Sequence, residues 1–426
     1  MMRTLVGGFA PLLRGSHWIA LVWVVMEQPR RFETRAVHSG ERRGGRDGSF
    51  SPISTPIYAS TTFSHADVET TDRILAGEER GYSYARYDNP TVVAFEEALS
   101  SLEAPRGGAR AFAFASGMSA MHAALTAAEL GPGATVLAAE QLYGSTATLL
   151  VQIFGSLGVE VRFVDAYDLG AVEKKVTTLK PRAVVIETIS NPLLRVADTE
   201  GIAEISRAGG AALVVDNTFG TPCLQRPLEL GADLVVHSAT KYLSGHGDLT
   251  AGVVAAGPPY DAALESIRKL VGATLGTFEA WLAHRGLKTL PLRMGRQCEN
   301  ARLISESLAA HPRVAKVHHP ALPDHPDHAV AGRALSDTGG LVSFELEAEG
   351  REAAFAFLNA LELCVKAPSL GDIYTLAIHP ATSSHRELSP SRRERLGVRE
   401  NLIRLSAGIE HPQDIISDLE GALDRL

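Results

Sequence analysis

The chain has 426 residues, of which 45% are hydrophobic and 21% charged, with 49 acidic side chains against 41 basic ones and a formal charge of −8. That length predicts about two or three domains and a core that needs neither disulfides nor a structural metal. The acidic balance argues against a general nucleic-acid binder, and the composition is that of an ordinary globular protein.

The first apolar run, HWIALVWVV (17–25), lies downstream of Arg3 and Arg14. It is too short to span a bilayer, and no small-residue cleavage site follows it. Residues 1–25 therefore read as an extension, either mis-called or disordered, with Met26 the expected start. Residues 26–89 form an arm: the stretch 32–80 is rich in Gly, Ser, Thr and Pro, includes PISTPIYASTTF, and has little core of its own. TVVAFEEALSSLE has apolar residues at helical spacing. RAFAFASG reads as a short strand, and MSAMHAALTAAEL as the helix that follows it. ATVLAAE, VEVRFVDA, AVVIET, AALVVDN and DLVVHS are short, nearly continuous apolar runs, several of them separated by helical stretches such as TEGIAEISRAGG. Strands alternating with helices predict an α/β fold with a mostly parallel sheet covered on both faces. Residues 90–284 are assigned to this domain. Helical RGLKTLPLRMGRQCENARLISESLAA, then GLVSFELE, helical EAAFAFLNALEL and a closing helix PQDIISDLEGALDRL make residues 285–426 a smaller α+β domain.

Cys223, Cys298 and Cys364 form no CxxC pair, so no zinc site or disulfide framework is expected and a reducing cytoplasm fits. The histidine-rich HHPALPDHPDH (318–328) is broken by prolines and lacks helical ligand spacing, so it reads as a surface loop and not as a metal site.

In open α/β sheets, ligands bind beyond the carboxyl ends of the strands. Ser116, Glu187, Asp216 and Ser238 all sit where apolar runs stop. The stretch VVDNTFGTPCLQRPLELGADLVVHSATKY (214–242) is the most telling. Lys241 can form a Schiff base with an aldehyde, and Asp216 can pair with a protonated pyridine nitrogen. Ser238 and Thr240 flank the lysine with hydroxyls suited to a phosphate. A single cofactor, pyridoxal 5′-phosphate, accounts for all four. Gly117, in AFASGMSAM, opens a helix where backbone N–H groups can meet a phosphate. Arg404, in NLIRLSAGIE, is the one cation of an apolar strand, and a buried cation needs an anion.

DNTF, RPL, LGAD and HSATKY occur here in the order found in the PLP-dependent Cys/Met metabolism family, the trans-sulfuration enzymes, and the chain resembles that family from about residue 32 to its C-terminus. The resemblance implies PLP fold type I, aspartate-aminotransferase-like. It implies that Gly117 and Met118 bind the cofactor phosphate through their amides. Tyr143 would stack on the pyridine ring and move protons, and Asn191 would lie near the phenolic oxygen and the substrate. Arg404 would bind the substrate α-carboxylate, and Ser369 would contact the substrate. Tyr84 and Arg86, in GYSYARYDNPT, would reach the phosphate of a neighbouring subunit, which implies a homo-oligomer: a dimer with shared sites, assembled into a tetramer. Ala85 departs from the family's YSR pattern, and Ser145 stands where methionine γ-lyases carry a Cys and many members a Gly.

RGLKTL (285–290) looks like the cystathionine γ-lyase, cystathionine γ-synthase and methionine γ-lyase branches; many sulfhydrylases have an acidic residue where this chain has Lys288. Tyr374 stands where many cystathionine-handling members carry Glu. The favoured expectation is a cytoplasmic PLP-dependent lyase that catalyses γ-elimination on cystathionine or methionine. The first alternative is γ-replacement, by a cystathionine γ-synthase or an O-acetyl- or O-succinylhomoserine sulfhydrylase. A remoter one is a non-catalytic PLP-binding relative. A small-molecule amino acid is the expected substrate, with no membrane partner.

Overall fold

The computed structural model describes residues 30–41 and 52–426. The expected extension, residues 1–25, lies outside the described residues. The apolar runs form one seven-stranded sheet from β1 (Arg110–Phe114), β2 (Thr135–Ala139), β3 (Glu160–Val164), β4 (Ala183–Glu187), β5 (Ala212–Asp216), β6 (Leu234–Ser238) and β7 (Gly252–Ala256). The strand order is β1-β7-β6-β5-β4-β2-β3. β2 pairs in parallel with β3 and β4, β4 with β5, and β5 with β6. β7 runs antiparallel to both β1 and β6. Most strand residues are buried because helices cover both faces of the sheet, as continuous Val, Leu and Ala runs require.

One face carries a core that includes Met121, Leu137, Val184 and Leu213. The other face carries a core that includes Phe95, Tyr242, Val253, Ala255 and Leu287. The expected helix 91–103 forms as Pro90–Glu103, with the Asn89 side chain accepting from Thr91 N at its start.

A second sheet holds β8 (Val314–His318), β9 (Leu341–Leu346), β10 (Val365–Lys366), β11 (Leu376–Ile378) and β12 (Leu402–Ser406), in the order β10-β11-β12-β9-β8. It packs its own core around Phe344, Phe357, Ile403 and Leu419. The helical stretch 285–310 is two elements, Thr277–Leu287 and Leu290–Ala310, parted at Lys288 and Thr289, with Pro291 in the first turn of the second. Lys288 is ion-paired with Glu41, so this residue pins the N-terminal arm to the body. The arm is also held by Trp281 Nε1, which donates to the Thr55 carbonyl, and by Asn89 Nδ2, which donates to that of Tyr58.

The histidine-rich segment corrects the surface-loop expectation. His318, His319 and His325 are buried. His318 Nε2 lies 2.8 Å from Glu345 Oε1, and His328 Nδ1 lies 2.9 Å from the Pro320 carbonyl. Asp327, also buried, accepts from Arg195 Nε and Nη2 and from Val196 N. Prolines predicted the turns correctly, but the loop packs inward, where His318 and Asp327 find partners on other elements. Among the described residues no cluster of ligands could hold a metal, and no helix is long and apolar enough to cross a membrane.

Candidate active site

The carboxyl ends of β4, β5 and β6 deliver Glu187, Asp216 and Ser238 to one side of the larger sheet. They line a cavity of about 450 Å³, a size suited to a cofactor with a small substrate. Lys241, Thr240, Gly117, Met118, Tyr143 and Asn191 line it as well, and Ser369 and Arg404 close it from the smaller sheet. The separate sequence signals thus converge on one space.

Gly117 opens the helix Gly117–Ala127, and the Ser116 side chain accepts from Ser119 N to cap it. A Cβ at position 117 would lie 2.9 Å from the Ser238 Cβ. Only a glycine lets this helix terminus approach β6 so closely, and the terminus favours an anion. Thr240 is less available than its type suggests: its hydroxyl accepts from Ala251 N and donates to the Ala251 carbonyl. A phosphate contact there would replace that donation.

Asp216 Oδ1 accepts from Thr218 N at 3.0 Å and from Thr218 Oγ1 at 2.5 Å, which fixes the carboxyl's orientation. Burial raises the carboxyl above its usual range, against the pull of those bonds and of His237. A cation bound beside it would restore its charge. Lys241 Nζ donates to Ser369 Oγ at 3.0 Å. Burial and then the Arg404 charge hold this amine below the usual lysine range, which favours the neutral nucleophile.

Arg404 is 3% exposed. Its Nη1 donates to Asn191 Oδ1 and its Nη2 to the Ser369 carbonyl. Among the described residues no carboxylate pairs with it, its Nε is buried without a partner, and burial lowers its pKa to about 10. A buried, under-satisfied guanidinium beside a cavity is a site for a carboxylate.

Lysine, strand-end aspartate, a glycine-opened helix terminus and the unsatisfied arginine together fit pyridoxal 5′-phosphate with an amino acid. Tyr84 and Arg86 do not line the chain's own cavity. The Arg86 guanidinium lies over the Tyr84 and Tyr87 rings and donates to the Lys269 carbonyl. Among the cavity residues with no role assigned from sequence are Glu187, a strand-end acid whose position is the only hint, and Thr218, visible only as the residue after the DN pair.

The model of the Cys/Met metabolism PLP-dependent enzyme family matches residues 33–424. The chain is 43% identical over 394 residues to an L-methionine gamma-lyase of Pseudomonas putida, covering 92% of this chain and 97% of that one. It is 41% identical over 391 residues to a cystathionine gamma-synthase of Mycobacterium bovis, covering 92% and 96%. A solved structure of cystathionine gamma synthase from Xanthomonas oryzae pv. oryzae, in complex with aminoacrylate and cysteine, superposes with a TM-score of 0.86 at 37% identity, covering 93% of this chain and 98% of that one.

Proposed function

The chain belongs to the Cys/Met metabolism PLP-dependent enzyme family, and from that premise we propose that it catalyses γ-elimination on a sulfur amino acid, cystathionine or methionine, giving a 2-oxo acid, ammonia and a thiol. Its fold is PLP fold type I, and it is an enzyme that uses pyridoxal 5′-phosphate. The observation that carries the reading is a half-buried lysine amine sharing one cavity with a strand-end aspartate and a buried arginine that lacks an anion among the described residues.

When bound, the cofactor supplies an electron sink that acidifies the substrate α-hydrogen. Asp216, oriented by Thr218, would hold the pyridine nitrogen protonated. Arg404 would grip the substrate α-carboxylate, with Asn191 and Ser369 setting the guanidinium's plane. Lys241 would capture the aldehyde and afterwards carry protons at Cα and Cβ. Tyr143 is the candidate acid for the leaving sulfur. Gly117 and Met118 amides and the Ser238 hydroxyl would hold the phosphate, with Thr240 behind them.

γ-Replacement is the second reading, favoured by the gamma-synthase relative at nearly the same identity as the lyase. Arg86 and Tyr84 would serve a neighbouring chain, which makes the enzyme a homo-oligomer, a dimer with shared sites built into a tetramer. Leu270 and Val271, exposed in the single chain next to the Lys269 that Arg86 touches, support a covered face there. The proposed location is the cytoplasm.

Incubation with cystathionine, methionine, O-acetylhomoserine and O-succinylhomoserine, with and without cysteine or sulfide, tests the reading. A 2-oxo acid without added thiol is expected. Products formed only as thioethers would overturn elimination in favour of replacement.

A further inference from the structure

Glu187 ends β4 at the register position where Asp216 ends β5. Both carboxyls line the same cavity, Glu187 buried and Asp216 partly buried. Two neighbouring carboxylates in such a place ionise together only against desolvation and mutual repulsion. Glu187 also makes contacts that no role so far explains. Its Oε1 accepts from Tyr143 N at 2.6 Å, and the backbone N–H of Asn191 also favours its charged form. Tyr143 and Asn191 stand on different loops, one after β2 and the other after β4.

Burial, and then the Asp216 charge, push the Glu187 carboxyl well above the usual range, outweighing the two N–H donors that pull the other way. The titratable groups facing it among the described residues are Asp216 from β5, Tyr143 at the start of the Gly144–Thr148 helix and Tyr167 from the turn after β3. Lys241 and Arg404 are the cations that line the same cavity.

We propose that Glu187 is a positioning residue: its carboxyl ties the Tyr143 loop to the floor of the cofactor pocket and leaves Asp216 as the single anion for the pyridine nitrogen. The proposal rests on the functional reading above. It follows that a neutral amide, whose oxygen can accept the Tyr143 N–H bond, mimics the native group.

The test compares the parent holoenzyme with Glu187→Gln and Glu187→Leu. Two quantities are read: the dissociation constant of pyridoxal 5′-phosphate, and the pH titration of the visible band of the bound cofactor. Glu187→Gln is expected to bind within about threefold of the parent and to titrate at the same midpoint. Glu187→Leu is expected to bind about tenfold more weakly or worse, because the Tyr143 N–H loses its acceptor. A midpoint moved by about one pH unit in Glu187→Gln would mean that the native group is charged, and would overturn the proposal even if the leucine variant did not fold. A leucine variant binding as tightly as the parent would also overturn it. A parent that forms no visible band contradicts the functional reading itself, whereas a parent that forms it beside indifferent variants contradicts this proposal alone.

Discussion

Arg404 on β12 of the smaller sheet donates from Nη1 to Asn191 Oδ1, beyond the end of β4 in the larger one, at 2.8 Å. One buried guanidinium thereby joins the two sheets at the cavity. Replacing it with lysine keeps the charge but loses the planar fork. In Arg404→Lys the substrate KM should rise about 100-fold, while the cofactor dissociation constant stays within about threefold of the parent. Steady-state kinetics together with cofactor titration check both.

Asp327 fixes the segment after β4 from the other side, through two contacts with Arg195 and one with Val196 N. Asp327→Ala leaves those donors without their acceptor in a largely buried place. The variant should lose about 3 kcal/mol of unfolding free energy, measured by denaturant titration of the holoenzyme. Because Asn191 lies on the same segment, its substrate KM should rise as well.

His319 and His385 are both buried, and burial pushes each down to about 4. A histidine whose folded pKa lies below its unfolded value binds a proton more readily when unfolded. Stability from this source is therefore fully present above about 6.5, falls as the pH drops from there, and is lost by about 4. Each site contributes on the order of 3 kcal/mol across that window. Denaturant midpoints should fall between about pH 7 and pH 5, and a His319→Gln variant should show a shallower fall.

Much of this architecture was legible because continuous apolar runs are what a sheet buried on both faces requires, and the polar residues that ended those runs had to face the same side. Asp216, Ser238 and Lys241 were therefore readable together as one chemical set. β7 was not picked out, since GVVAA is short, small and glycine-led, and its antiparallel insertion between β1 and β6 has no local signature. His318 and His319 were misjudged because their partners, Glu345 and Ser305, arrive from other elements. Lys288 looked like a marker of substrate class, yet its ammonium is taken by Glu41. Glu187 was visible as a strand-end acid, but its hold on Tyr143 depends on how two loops fold back over the sheet.

Borohydride reduction of the holoenzyme, followed by peptide mapping, tests the covalent role of Lys241 most directly. The cofactor mass should appear on the peptide carrying Lys241, and Lys241→Ala should lose both the reducible band and turnover, by about 1000-fold or more. The cofactor found on another lysine, or parent-like turnover by Lys241→Ala, would contradict it.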